Sequence, residues 1–284
     1  MADLFSFPDV PKPTAPLGFY RTPIPEGGMR RAQDLAKRFG VSGDVRDAHA
    51  RLVISDAASA LEVFVASDSL RWSTIQTLRS EEDGAEGVPD EEEAKAIASD
   101  FFKARGVSLD GAELHSVSPA ITWRHIPDSK DDPERRTVSR QVNYAYALDG
   151  WPIFGPGAKV QATVGGKGRV TECYQFWRHP RRDGEHEILP GDVVVEMLRR
   201  DPMFDGLKPG ETTITFRNAR LGYYALTPRE YQRALIPVYA FEGTASTPAM
   251  PRHDFVRYVV AVRFAADEVK RQGIISHAPV YVFS

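Results

Sequence analysis

The feature that most constrains the fold is the stretch LDGWPIFGPGA at residues 148–158, which separates two runs rich in alternating aromatic residues. Asp149 and Gly150 are a favoured pair for a two-residue type I′ turn, because both positions of that turn need a positive φ angle. The run before the turn alternates as a strand does, with one face formed by Val142, Tyr144, Tyr146 and Leu148. The sequence therefore predicts a hairpin, followed by a second corner at residues 155–157.

A phosphate-binding loop is the alternative for these glycines, and neither short motif fits it. The run GPGAKV lacks the third glycine of a dinucleotide fingerprint, and GGKG has Gly168 where a phosphate loop needs serine or threonine. Both runs lead into strand-like segments, whereas phosphate loops open helices. We therefore predict that these glycines serve turns.

Three amphipathic segments predict helices, and strand-like runs follow each of them. The first helix ends at Gly40. The second begins after Asp90, which forms a capping box with Glu93, and it ends at Gly106. The third carries Pro190 at its first turn, where a missing N–H costs nothing.

The repeated order of one helix and then antiparallel strands predicts an α+β fold of tandem modules, each a helix packed on an antiparallel sheet. The proline-rich start predicts an extended segment that acts as a tether or lies along the body. We divide the chain into a proline-rich N-terminal arm, a first helix-plus-hairpin module, a central module and a C-terminal module, at residues 1–28, 29–80, 88–180 and 187–284. A parallel sheet with crossover helices would contradict this fold.

Composition narrows the class of protein. A net charge of −3 gives no general attraction for nucleic acid, and 42% hydrophobic with 26% charged residues is ordinary for a soluble domain. Apolar runs are too short for a membrane helix, and the first residues lack the pattern of a secretory signal. The single cysteine, Cys173, excludes an internal disulfide. We therefore expect no nucleic-acid partner and no transmembrane segment.

Catalytic and metal-binding patterns are weak in this chain. The run GEHEILP starts like a zinc-protease helix, but Pro190 stands where the second histidine belongs. His179 and His186 lie in a polar loop, where histidines are usually solvated. Cys173 lies in the middle of a strand, which is typical of a core residue, although a nucleophile paired with His179 or His125 is the alternative. We assign no catalytic residue, metal or cofactor.

Two segments carry a family resemblance. The helix start PDEEEAKAIASDFF, the strand ending YAYALDGWPI, a glycine corner and GRV before an aromatic strand together resemble PepSY-type modules. Such modules occur in the pro-regions of secreted zinc metalloproteases and in bacterial envelope proteins. The tandem layout, with LIPVYAFEG late in the chain, is similar to regulatory lipoproteins that accompany cell-wall sensor kinases. The resemblance covers residues 90–180, with a fainter echo over 188–265.

The resemblance implies a cystatin/PepSY-like sheet and a binding, inhibitory or regulatory role outside the cytoplasm. A cytoplasmic location is the alternative, since no signal is visible. Aromatic residues of neighbouring hairpins either fill a helix-covered core or form a binding platform on an open face. The candidate binding residues are Tyr144, Tyr146, Trp151, Phe154, Tyr174 and Trp177.

Two functions follow from these observations. The first is a non-catalytic binding or regulatory protein of the bacterial cell envelope, which recognises a protein, peptide or glycan through sheet faces and edges, with another protein or a peptide as the expected partner. The second is a small-molecule enzyme with a pocket between a helix and a curved sheet. An enclosed pocket would favour the enzyme, and an open aromatic face would favour the binding protein.

Overall fold

A computed structural model describes residues 4–13, 15–74, 86–124, 134–247 and 252–263. Within these ranges the helices are α1 (Gly28–Phe39), α2 (Glu91–Arg105) and α3 (Gly191–Arg199). The strands are β1 (Phe5–Ser6), β2 (Leu17–Arg21), β3 (Arg46–Asp47), β4 (Arg51–Ser55), β5 (Ser59–Phe64), β6 (Ser69–Thr74), β7 (Ala112–Arg124), β8 (Glu134–Leu148), β9 (Trp151–Phe154), β10 (Lys159–Gly165), β11 (Val170–Phe176), β12 (Arg181–His186), β13 (Thr213–Tyr224), β14 (Ala234–Ser246) and β15 (His253–Val260). His125, named above as a possible catalytic partner, lies outside the described residues.

All fifteen strands belong to one mixed sheet, in the order β12-β2-β14-β13-β9-β8-β10-β11-β6-β5-β4-β3. The order names twelve of the fifteen strands, and the remaining three pair beside this path: β1 with β13, β15 with β14, and β7 with β8. Most pairs are antiparallel, but β1 and β9 both run parallel to β13. One half of the sheet, β3 to β11, comes from the middle of the chain. The other half combines β1 and β2 from the N-terminal end with β12 to β15 from the C-terminal end.

The predicted α+β fold of tandem helix-on-sheet modules is wrong. Strands from all three predicted modules join one large mixed sheet, and the three described helices are short. Two pairings cause this: β6 of the first module pairs with β11 of the central module, and β9 pairs with β8 on one edge and with β13 on the other. The sheet therefore continues where the sequence suggested a boundary. The four domain ranges stay a prediction, although β1 and β2 of the proline-rich arm pair within the C-terminal half.

The predicted helices are confirmed, and so are the caps at Asp90, Gly40 and Gly106, whereas Pro190 lies one residue before the first turn in which it was predicted. The Asp90 carboxylate accepts a hydrogen bond of 2.9 Å from the Glu93 amide, and three acidic residues occupy the first turn, where the helix dipole favours negative charge. Gly40 and Gly106 end α1 and α2 with left-handed φ angles of 70° and 64°. Pro190 is the N-cap of α3, just before its first turn. None of these described helices is long and apolar enough to span a membrane.

The helices and the N-terminal arm cover the same side of the sheet. Residues from α1, α2 and α3 share one continuous core with inward side chains of both halves, including Leu61, Val142, Phe216 and Tyr223. Residues directly opposite each other on paired strands point to the same side of a sheet. The register of successive pairs therefore shows, from β4 to β15, which side chains face the helices and which face the other side. We call the other side, which no described helix covers, the open face.

The Asp149-Gly150 turn is confirmed, with φ angles of 51° and 78°. Its Asp149 side chain also interacts with β2, because it accepts a hydrogen bond from the Tyr20 hydroxyl. Burial, followed by this interaction, raises the pKa of Tyr20 to about 12. The turn is therefore held against the N-terminal arm as well as closing a hairpin.

Arg178 connects the two halves of the sheet near the junction, which is the place where β9 pairs with both β8 and β13. The residue follows β11, is only 4% exposed, and donates to the carbonyl oxygens of Leu226 (2.9 Å), Thr227 (2.5 Å) and Glu230 (2.9 Å) in the loop between β13 and β14. Burial lowers the pKa of this guanidinium to about 10. The three main-chain oxygens replace water around the buried charge, and the charge in turn satisfies those oxygens. The loop and the Arg178 side chain therefore stabilise each other.

We predict that Gly150→Val destabilises the fold. A β-carbon at a φ of 78° is strained by on the order of 1–2 kcal/mol. Gly165→Ala is the control, because its new carbon would make only ordinary contacts, the nearest at 3.6 Å. Thermal melts should show a lower melting temperature for Gly150→Val alone. Equal melting of the two variants would contradict the role of this turn.

We also predict that Arg178→Ala loosens the junction. The substitution leaves three carbonyl oxygens without their donor, at about 1–3 kcal/mol for each that stays buried. Hydrogen exchange should accelerate at residues 225–231, together with a lower melting temperature. Arg181→Ala, at an exposed position of β12, is the matched control. Similar exchange in both variants would show that Arg178 does not hold the loop.

Candidate binding face

The open face carries two groups of aromatic residues, one in each half of the sheet. The first is the Tyr174 cluster, formed by Phe64, Arg71, Glu172, Tyr174 and Phe176 on β5, β6 and β11. The rings of Tyr174 and Phe176 stack at 4.5 Å with 14° between their planes, and Phe64 meets Phe176 edge-on at 5.7 Å. The Tyr174 hydroxyl donates to the buried amide oxygen of Gln161 at 2.9 Å, which fixes the ring.

Strand alternation explains why these side chains are on the open face. Along β11, Glu172, Tyr174 and Phe176 point to one side, whereas Cys173 and Gln175 point to the covered side. Cys173 lies fully in the core, as expected, and burial raises the pKa of its thiol. A buried, protonated thiol is a poor nucleophile, so its position supports a packing role.

A groove of about 280 Å³ lies beside the Tyr174 cluster, lined by Arg71, Pro156, Lys159, Glu172, Tyr174 and Phe176. Arg71 is opposite Tyr174 in the register, and its Nε donates to Glu172 at 2.7 Å. Lys159 is exposed, is opposite Phe176, and forms no ion pair with any described residue. The groove therefore combines ring surface, a neutralised ion pair and one unmatched positive charge.

The second group is the Tyr258 cluster, formed by Phe154, Arg220, Tyr224, Glu242 and Tyr258 on β9, β13, β14 and β15. Tyr258 lies 4.7 Å from Tyr224 and 6.0 Å from Phe154 between ring centroids. Arg220 stands over the Phe154 ring at 5.3 Å and donates to Glu242 at 2.6 Å. Each cluster thus contains three rings and one arginine–glutamate pair.

The segment after β9 links the two clusters. Gly155 has a φ angle of 84°, and a β-carbon there would lie 2.5 Å from the Ala225 carbonyl oxygen and 2.9 Å from the Tyr224 ring. Only glycine allows this close approach. The next residue, Pro156, lines the groove of the Tyr174 cluster.

The six predicted binding residues divide between the two sides of the sheet. Tyr174 and Phe154 lie on the open face, one in each cluster. Tyr144 contacts Phe102 of α2 at 5.9 Å, and Tyr146 stacks on Trp177 at 3.9 Å in the covered core. Trp151 packs, partly buried, against the same core. Two of the six residues therefore lie on the open face, and of these Tyr174 is partly exposed whereas Phe154 is buried, at 9% exposure.

Sequence reasoning missed the charged partners and two of the rings. Arg71 and Glu172 are 101 residues apart in the chain, so no local pattern joins them. Tyr224 and Tyr258 become neighbours only because β14 lies between β13 and β15. An alternating pattern in β13 or β15 could have indicated one exposed face, but not which strands share it.

The space between α2 and the sheet is filled by core side chains. Phe102, Val142 and Tyr146 are each at most 2% exposed. The Tyr146 hydroxyl donates to the Ser108 carbonyl oxygen at 3.2 Å and accepts from Gln175 at 3.0 Å. The part of the chain that is described contains no group of three potential metal ligands. These observations give no support to a pocket between helix and sheet.

We predict that Tyr146 contributes to alkaline instability. Burial raises the pKa of Tyr146 from 10.0 to about 12, so the folded state retains the phenol proton more strongly than the unfolded chain. Its contribution to stability is complete below pH 10 and is lost as the pH rises toward 12. Denaturant titrations between pH 9 and pH 12 should show that the free energy of unfolding falls less steeply with pH in Tyr146→Phe than in Tyr231→Phe, the control at an exposed position. Identical slopes would contradict this role.

Comparison with known proteins identifies no family for this chain. No protein-family description matches it, and neither does any curated protein. A crystal structure of an uncharacterized protein from Eubacterium rectale ATCC 33656 is similar over 87% of this chain and 84% of that one, with 11% identity and a TM-score of 0.46. A likeness of that size carries no argument about fold or function, and the resemblance to PepSY-type modules stays a prediction.

Proposed function

We propose that this chain is a non-catalytic binding protein that recognises its ligand on the open face of the sheet. The observation that carries the proposal is the pair of aromatic clusters, each beside an arginine–glutamate pair, on the side that no described helix covers. Rings combined with polar groups supply apolar contact and hydrogen bonds together, which is typical of recognition surfaces.

The chemistry of the clusters favours binding over catalysis. Glu172 and Glu242 are each paired with an arginine at 2.6 Å, so each cluster presents a hydrogen-bonding ion pair rather than an isolated carboxylate. Burial raises the pKa of the Tyr174, Tyr224 and Tyr258 phenols. These hydroxyls therefore stay protonated at neutral pH and serve as hydrogen-bond donors and acceptors.

The rigidity of the face also supports a binding role. Arg71, Glu172 and Tyr174 stand on paired strands, and the Tyr174 ring is held by both Phe176 and Gln161. Side chains fixed in this way lose little conformational entropy when a ligand binds. A regulatory role and a place in the bacterial cell envelope stay predictions that rest on the PepSY resemblance.

An array of immobilised glycans and peptides, probed with labelled protein, tests the proposal. We expect Tyr174→Ala and Tyr258→Ala each to weaken the strongest signals about tenfold, since truncated aromatic anchors commonly cost more than 1 kcal/mol. Tyr231→Ala is the matched control, because Tyr231 is 55% exposed but lies in a loop outside the sheet. Thermal melts of all three variants exclude loss of folding as the cause.

Two outcomes would contradict the proposed function. One is that Tyr174→Ala and Tyr258→Ala both give the same array signals as the wild type. The other is an equal loss of signal in Tyr231→Ala, which would place recognition outside the open face.

A further inference from the structure

The two aromatic clusters lie on the same side of one sheet, on either side of its junction. Resting on the proposed function, we infer that they are two subsites of one elongated binding face, and that the ligand is a linear acidic oligosaccharide. The inference depends on the continuity of the face, on the main-chain pairing beneath it and on one unmatched charge.

Continuity follows from the register of β8, β9, β10 and β11. The nearest partly exposed ring of the Tyr258 cluster, Tyr224, is on β13, and Phe176 of the Tyr174 cluster is on β11, which is four places further along the sheet. Four strand spacings amount to about 19 Å. Pro156 borders the groove two residues after Phe154. A ligand longer than the first groove therefore reaches the second cluster without leaving the face.

Main-chain pairing favours a saccharide over a peptide. β11 is paired on both edges, with β10 and β6, and β14 is paired with β13 and β15. The face thus presents side chains, with its main-chain N–H and C=O groups already used in the ladders. A peptide laid across it would leave its own main-chain groups without partners, which is costly when water is excluded.

A saccharide matches this surface better. Its flat C–H faces pack against rings such as Tyr174, and its hydroxyls both donate and accept hydrogen bonds. Arg71 supplies donors and Glu172 supplies an acceptor beside that ring, and Arg220 with Glu242 repeats the arrangement beside Tyr258. Two similar subsites suit a polymer of repeating units better than a single compact ligand.

Lys159 specifies the charge of the ligand. The groove contains Arg71 and Glu172, which neutralise each other, and Lys159, which forms no ion pair with any described residue. Lys159 on β10 and Glu113 on β7 are opposite Ala145 on the two edges of β8. The acidic Glu113 is therefore two strands away from Lys159. An exposed cation beside an aromatic ring favours a ligand that carries a carboxylate.

Calorimetric titration with trigalacturonic and decagalacturonic acid tests the inference. Wild-type protein should bind two trimers but only one decamer, and the decamer at least about a hundredfold more tightly, because its second contact is intramolecular. Tyr174→Ala and Tyr258→Ala should each bind one trimer and should hold the decamer less than about tenfold more tightly than the trimer, which is the gain that the eight overlapping trimer registers of a decamer give without a second contact. Lys159→Ala should weaken trimer binding and increase the salt tolerance of what remains.

Three further ligands and variants sharpen the result. Neutral cellotriose should bind wild type at least fivefold more weakly than trigalacturonic acid, and hexaglutamate should bind more weakly than both. Tyr231→Ala should behave as wild type throughout. Equal binding of cellotriose would overturn the acidic ligand, tighter binding of hexaglutamate would overturn the saccharide, and decamer binding unchanged in Tyr258→Ala would overturn the shared face.

Failure of this inference is distinguishable from failure of the proposed function. Absence of galacturonate binding overturns the inference, while an array ligand that depends on Tyr174 or Tyr258 still supports recognition on the open face. If neither substitution weakens the binding of any array ligand, the proposed function and the inference are both overturned.

Discussion

The double pairing of β9 is the interaction on which the rest of the structure depends. Four residues, Trp151–Phe154, complete the ladder of β8 on one edge and that of β13 on the other. Arg178 closes the same junction with a buried charge whose nearest ligands are main-chain oxygens. Burial of a guanidinium is costly unless its donors find acceptors, and both terminal nitrogens of Arg178 find theirs in this loop, while its Nε has no partner among the described residues. The loop that supplies those oxygens therefore has to fold against the first half of the sheet.

Close approach of the chains explains why this junction is rich in glycine. A β-carbon at Gly157 would lie 1.9 Å from the Leu226 carbonyl oxygen, and one at Gly222 would lie 2.3 Å from the Pro152 carbonyl oxygen. Gly150 instead provides the left-handed φ angle of the turn. The glycine-rich corner thus serves two physical needs, backbone conformation and backbone proximity, and both belong to chain packing.

Local features were predictable from sequence, and long-range strand pairing was not. The helix caps at Asp90 and Gly106 and the turn at Asp149 depend on residues within one or two turns of the chain, so their chemistry is readable there. The partner of β9 is β13, about seventy residues later, and the short segment WPIF contains no sign of it. The modular fold was therefore wrong where distant strands decide the architecture, at the β9–β13 pairing and at the β6–β11 pairing. The charged partners of the candidate site were missed for the same reason, because its arginines and glutamates meet across strands.

The polarity of the strands nevertheless indicates which rings are available to a ligand. On β8 the covered side carries Val142 and Tyr146, and the open side carries the polar residues Gln141 and Asn143, as expected of a sheet with one solvated face. On β11 and β15 the open side departs from that rule, with rings where polar residues would suffice. Packing on the open side accounts for part of these rings, because Tyr224 and Tyr258 pack against a small core of Phe154, Val238 and Ala240. Tyr174, Tyr224 and Tyr258 are only partly buried, so each ring keeps some surface exposed to solvent. That exposed ring surface, on a side where β8 carries polar residues, is what supports ligand recognition on this face.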